Sequence, residues 1–169
     1  MKKIILSAII MMAAAVAANA QFWVGGSIGY NSHNNKITDV TENIFTFSPE
    51  FGYNFTDKIS GAVAFDMSFA DHRNIIGVSP YVRYSFYQNG PMSIFVDGVV
   101  NFESDKTDGA DAINTFGLGV RPGFAYALND SFSLVTRVGG IGFASSKNYS
   151  EFGIGLSGTV ASMGLYYAF

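Results

Sequence analysis

Large apolar side chains fall on every second residue over most of this chain. Phe45, Phe47, Phe51, Tyr53 and Phe55 mark one such stretch, and Ile59, Val63, Phe65, Met67 and Phe69 the next. A period of two is the signature of a strand with one apolar face. The same alternation predicts further strands through Phe22–Tyr30, Val78–Phe86, Met92–Phe102, Phe116–Leu128 and Phe132–Val138, with the phase lost at Gly139-Gly140. In the last segment Phe152, Ile154 and Leu156 are even-numbered, whereas Met163, Leu165, Tyr167 and Phe169 are odd. A slip of one residue turns every side chain over, so a bulge is expected between Ser157 and Ser162. The alternative is a break leaving two short strands.

The alternation carries a repeat. Ser48-Pro49-Glu50-Phe51-Gly52-Tyr53-Asn54-Phe55 has the form x-Pro-x-Φ-x-Tyr-x-Φ, where Φ is a large apolar residue. Ser79-Pro80-Tyr81-Val82-Arg83-Tyr84-Ser85-Phe86 and Arg121-Pro122-Gly123-Phe124-Ala125-Tyr126-Ala127-Leu128 follow it. The terminal Ser162-Met163-Gly164-Leu165-Tyr166-Tyr167-Ala168-Phe169 replaces the proline with Met163. Recurrence at roughly 30–40 residues indicates a repeated supersecondary unit. The first three copies run into short turns, among them Asn89-Gly90, a strong hairpin signal. Four units of strand, turn and strand make eight strands. Proline removes a ladder donor, so Pro49, Pro80 and Pro122 predict bends or local interruptions of the ladder. The polar stretches 31–43 and 103–112 predict long loops, and Asp71–Asn74 a shorter one.

The first twenty residues read differently. Lys2 and Lys3, the apolar run Ile4–Val16 and Ala18-Asn19-Ala20 form a secretory signal peptide over 1–20, cut after Ala20. The run is too short for a bilayer core of ~30 Å. Residues 21–169 then form one domain. Without cysteine there is no disulfide framework, thiolate nucleophile or lipoprotein attachment site. A net charge of -3 argues against nucleic acid, which calls for a basic stripe.

The charged residues are few, and those within the strands keep to one face. They make up 14% of the chain, against about 25% in ordinary soluble domains. None occupies an apolar strand face. Glu50, Asp66, Arg83, Asp97, Arg121 and Arg137 sit on the opposite faces, at similar distances from the nearest short turn. They therefore form a neutral belt halfway along the strands. Expected contacts are Arg83 with Asp66 or Asp97, Arg121 with Asp97, and Arg137 with Glu50. The rest of these faces is mostly Gly, Ala and Ser, a poor wet surface but a good filling for a narrow tube. Eight strands leave just enough interior for side chains. A charge on a lipid-facing midplane site costs ~2–4 kcal/mol, so apolar-out, charge-in is the favoured register. Phe22, Tyr53, Phe55, Tyr84, Phe86, Tyr126, Tyr167 and Phe169 gather near the short-turn end as an interfacial girdle.

These features together resemble the small outer-membrane β-barrel domain family, of the outer membrane protein A and X type, over all of 21–169. The fold class expected is all-β: an eight-stranded antiparallel up-and-down transmembrane β-barrel after a cleavable signal peptide. In that resemblance the terminal Leu165, Tyr167 and Phe169 are the signal read by the barrel-assembly machinery. No peptidoglycan-binding domain is expected after Phe169, unlike the two-domain members. Localisation in the outer membrane, after export through the periplasm, is implied, with outer-membrane lipid and lipopolysaccharide as surroundings.

The functional expectation is a structural or surface-interaction barrel whose lumen is plugged by the charge belt, with loops 31–43 and 103–112 as sites for an extracellular ligand. A small or gated pore for ions or small solutes is the first alternative. A lipid-modifying enzyme is the second. His33 and His72, the only histidines, lack motif spacing to a serine and an acid, so no enzyme and no cofactor is expected. Asp105, Asp108 and Asp111 suggest cations but lack the ligand spacing of a calcium loop, which favours a solvated acidic loop.

Overall fold

A computed structural model describes residues 21–35, 40–70, 73–107, 109, 111–147, 150–155 and 161–169, without the side chains of 30–42, 154, 155 and 161. The signal peptide expected at 1–20, His72, Asp108 and the His33 side chain lie outside the described residues.

The strand segments are β1 (Phe22–Asn35), β2 (Val40–Asn54), β3 (Ile59–Ala70), β4 (Arg73–Asn89), β5 (Met92–Thr107), β6 (Ile113–Ala127), β7 (Phe132–Val138), β8 (Gly140–Ser146), β9 (Ser150–Gly155) and β10 (Ala161–Ala168). Neighbours pair antiparallel from β1 to β6. Both β7 and β8 pair with β6, β10 pairs with β7, and β9 with β8. β7–β8 is thus one wall strand and β9–β10 another. The ring closes where β1 meets β10, over Trp23–Ser27. The fold is a closed, eight-stranded antiparallel barrel, as the repeat predicts.

Where the seam is paired, over Trp23–Ser27, closure satisfies the ladder donors and acceptors, which is what lets strands cross hydrocarbon; above it, among the described residues, β1 pairs only with β2 and β9 only with β8. No helix among the described residues is long and apolar enough to do so. The side-chain alternation then sorts chemistry by face. Phe51, Val82 and Leu118 point outward and are 44%, 54% and 49% exposed, while Asp97 and Phe95 point inward and are 0% exposed. A water-facing domain rarely shows an apolar patch above ~600 Å². Here apolar side chains are exposed on every wall strand, from Phe45 on β2 to Leu165 on β10.

Local chemistry fixes the register. Thr56 Oγ1 accepts from the backbone N–H of Ile59 at 3.0 Å, and Asn129 Oδ1 from that of Phe132 at 2.8 Å, so each closes its own turn. Asn89 pairs with Met92, leaving Gly90 and Pro91 as the loop, with Gly90 at φ +55°. The ladder is interrupted at each proline. Between β2 and β3 it skips Ser48 and Pro49, and between β4 and β5 it skips Ser79 and Pro80. On β6 it skips Arg121 and Pro122, opposite Gly139 at φ +68°. Partners shift by one residue across that point, the phase loss seen in the sequence.

Two expectations are corrected. The expected loops at 31–43 and 103–112 are partly strand, since β1 runs to Asn35, β2 starts at Val40 and β5 runs to Thr107. Ladder bonds form as well between polar residues; only the bilayer core demands an apolar face. Crossing takes about 9–11 residues, whereas β4 has 17 and β5 has 16, so both stand clear of the membrane at the end away from the short turns. The last wall strand also departs from a one-residue bulge. Val138 pairs with Ala161 and Gly140 with Gly155, so the interval on β9–β10 is much longer than that on β7–β8. The two pieces keep one direction, which preserves the eight-strand count. Residues 156–160 lie outside the described ones.

Candidate functional site

The barrel axis carries one hydrogen-bonded charge cluster. Arg137, on β7, reaches two acids on other walls. Its Nη1 and Nη2 donate to the two oxygens of Glu50, each at 2.9 Å, and its Nε donates to Asp97 Oδ2 at 2.8 Å. Glu50 is on β2 and Asp97 on β5, so one guanidinium spans the lumen. Arg83 completes Asp97, with Nε and Nη2 donating at 2.7 and 2.9 Å. Tyr81 and Tyr166 hydroxyls donate to Glu50 at 2.5 and 2.8 Å. The Arg83 guanidinium lies over the Phe95 ring, 3.6 Å from its centroid. Two acids and two arginines cancel, and bidentate geometry is the strong form of such pairing. A buried pair demands this saturation, because each unpaired ion costs several kcal/mol.

The expected belt divides into members that meet and members that do not. Arg83 with Asp97 and Arg137 with Glu50 are in contact. Asp66 accepts from Ser79 Oγ rather than from Arg83. The Arg121–Asp97 contact is absent among the described residues. The two are backbone partners across β5 and β6, yet the Asp97 oxygens are taken by Arg83 and Arg137, and Arg121 Nε and Nη2 are buried without a protein acceptor. Sequence reasoning missed Tyr81, Tyr166, Phe95 and Trp23. All four lie on inward positions, each with at least one small residue as its neighbour on that face (Gly25 for Trp23, Ser79 for Tyr81, Ser93 for Phe95, Gly164 and Ala168 for Tyr166), where a large side chain is itself a signal. Trp23 packs edge-on against Tyr166 at 5.2 Å, over Gly52, whose added Cβ would fall 2.0 Å from the indole.

The cluster lies between two cavities. One, of about 590 Å³, is lined by Arg121, Asn101, Glu103 and Glu151 on the long-strand side. The other, of about 400 Å³, is lined by Trp23, Ser60, Arg83 and Tyr166 on the short-turn side. Glu50, Asp97, Tyr81 and Arg137 line neither.

The outward aromatics form contacts near the short turns. Phe22 meets Tyr53 at 4.8 Å, Tyr53 meets Phe55 at 5.3 Å, and Tyr167 meets Phe132 and Phe169 at 5.0 and 4.9 Å. Tyr84, Phe86 and Tyr126 are exposed on the same outward face. Leu165 is exposed beside them. Beyond the membrane, Arg73 Nε donates to Asp105 at 2.9 Å, and this hydrogen bond holds the Asp105 carboxyl below its usual range. Asp105 is therefore an ion-pair partner on β5, and no acid or histidine cluster of metal-site form occurs among the described residues.

The family model for the outer membrane protein beta-barrel domain matches residues 4–169. The chain belongs to that family. Barrels of the same fold include Neisserial surface protein A, with 16% identity, a TM-score of 0.57, and coverage of 88% of this chain and 97% of that one. The N-terminal β-barrel domain of Pseudomonas aeruginosa OprF aligns with 13% identity, a TM-score of 0.58, and coverage of 88% and 98%. A search of curated proteins finds no match. Family membership makes this an outer-membrane barrel, with its apolar exterior against lipid.

Proposed function

We infer that the barrel serves a structural or surface-interaction role, with a lumen plugged by the charge cluster and no catalytic activity. The observation carrying this reading is the Arg137 guanidinium bonded at once to Glu50 and Asp97 across the lumen. Ions that satisfy one another inside a narrow tube leave no path for water between the two cavities. The chain is exported through the periplasm after loss of residues 1–20. The barrel-assembly machinery reads Leu165 and Tyr167 on β10 and Phe169 just after it. The girdle of Phe22, Tyr53, Phe55, Tyr84, Phe86, Tyr126, Tyr167 and Phe169 seats the barrel at the inner interface, where amphipathic rings are favoured. Lipopolysaccharide surrounds the opposite rim, and strand extensions there present the surface for extracellular ligands.

Conductance across planar bilayers tests the plug. The native chain should be silent, and Arg137→Ala should open measurable current. A steady open channel in the native protein that Arg137→Ala leaves unchanged would defeat the reading.

A further inference from the structure

The cavity above the charge cluster has features that a plug does not require. In an eight-stranded barrel the inward side chains fill the interior. Here the inward positions of β6 and β8 above Arg121 are largely glycine, with Gly117, Gly119 and Gly142 lining the space. At Gly119 and Gly142 an added Cβ would meet the neighbouring strand's backbone at 3.1 and 3.0 Å, so close strand pairing keeps side chains out of this space. The resulting cup of about 590 Å³ lies within the ~300–1,000 Å³ typical of small-molecule sites.

Arg121 forms its floor. Its Nε and Nη2 are buried and have no protein acceptor among the described residues, and its guanidinium sits 5.6 Å from the Tyr81 ring centroid. A fork of unpaired N–H groups matches a carboxylate or phosphate. Higher on the walls, Glu103 from β5 and Glu151 from β9 line the same cup. From the level of Asp97, opposite Arg121, to Glu103 the strand climbs roughly 20 Å. Strand tilt of ~40° and the upward reach of the arginine leave a gap of about 10 Å, the span of three extended residues.

We propose that the cup binds a small zwitterionic solute of short-peptide length, its oxyanion on Arg121 and its ammonium toward Glu103 and Glu151. Acidic walls above a cationic floor disfavour a simple anion and favour a ligand with both charges. This goes beyond the structural reading and holds whether or not the cluster conducts.

The test uses the full barrel in an uncharged maltoside detergent, with trialanine as probe and the Arg121 Nε–H resonance as readout. Trialanine should shift that resonance saturably in the millimolar range, and N-acetyl-trialanine should bind at least roughly fivefold more weakly. Arg121→Gln should abolish binding, read by calorimetry, and Arg121→Lys should weaken it. Gly153→Leu should abolish it too, because an added Cβ there meets nothing within 4 Å and the side chain fills the cup without touching the floor. Heat-modifiable gel migration confirms that each variant retains the closed barrel. No saturable shift, equal affinity for the blocked peptide, or binding that survives Arg121→Gln or Gly153→Leu overturns the proposal.

Discussion

Arg137 on β7 holds Glu50 on β2 through two hydrogen bonds of 2.9 Å, although β2 and β7 are not neighbours in the wall. The bond crosses the lumen and ties opposite sides of the barrel together. Its removal leaves two buried carboxylates without their shared counter-ion.

Arg137→Met should therefore destabilise the barrel by about 3–5 kcal/mol. Arg121→Met should cost under about 1 kcal/mol, since an arginine whose Nε and Nη2 lack acceptors contributes burial cost rather than hydrogen bonding. Urea unfolding in lipid vesicles reads both. Equal losses for the two variants would contradict the division of the belt into a bonded core and an unpaired member.

Gly52 is a second dependent position. Its added Cβ would fall 2.0 Å from the Trp23 ring, so Gly52→Val must displace the indole. Overpacking of this kind costs about 1–3 kcal/mol. Trp23 is the only tryptophan, so its fluorescence reports the site directly. An unchanged emission maximum in Gly52→Val would show that the indole does not lie over Gly52.

These two cases show what the sequence makes legible. Period-two alternation assigns each of Glu50, Arg83, Asp97 and Arg137 to the interior, because a charge on the lipid side is too costly to be an error. It assigns partners only in part: Arg83 with Asp97 and Arg137 with Glu50 meet as expected, but barrel curvature decides the other contacts across the axis. Arg121 and Asp97 face each other on adjacent strands, yet Arg137, two wall strands from Asp97, takes the bond. Strand ends were equally opaque. Polar residues such as Ser104 and Lys106 continue β5 past the alternating stretch that ends at Phe102, where no apolar face is needed to mark a strand. The interval on the last wall strand defeated a parity argument, since parity distinguishes odd insertions from even ones but not their length.

Phe169 closes the outward ring stack on Tyr167 at 4.9 Å, and its backbone N–H donates to Phe22 at 3.1 Å. Phe169→Ala keeps the backbone bond and loses the ring. Assembly into the outer membrane in cells should slow several-fold, while the purified chain should still fold in detergent micelles. Pulse-labelling with gel migration as readout checks both halves. Normal assembly in cells would remove Phe169 from the proposed assembly signal.

The outward apolar face is tested most directly by spin labels, made simple by the absence of cysteine. Val82→Cys and Val120→Cys lie one position from Arg83 and Arg121, at the level of the charge cluster, and Lys106→Cys lies near the outer end of β5. In bilayers, labels at 82 and 120 should be relaxed by dissolved oxygen far more than by a water-soluble nickel complex, with the order reversed at 106. Nickel-dominated relaxation at 82 and 120 would place those side chains in water and contradict the lipid-facing barrel.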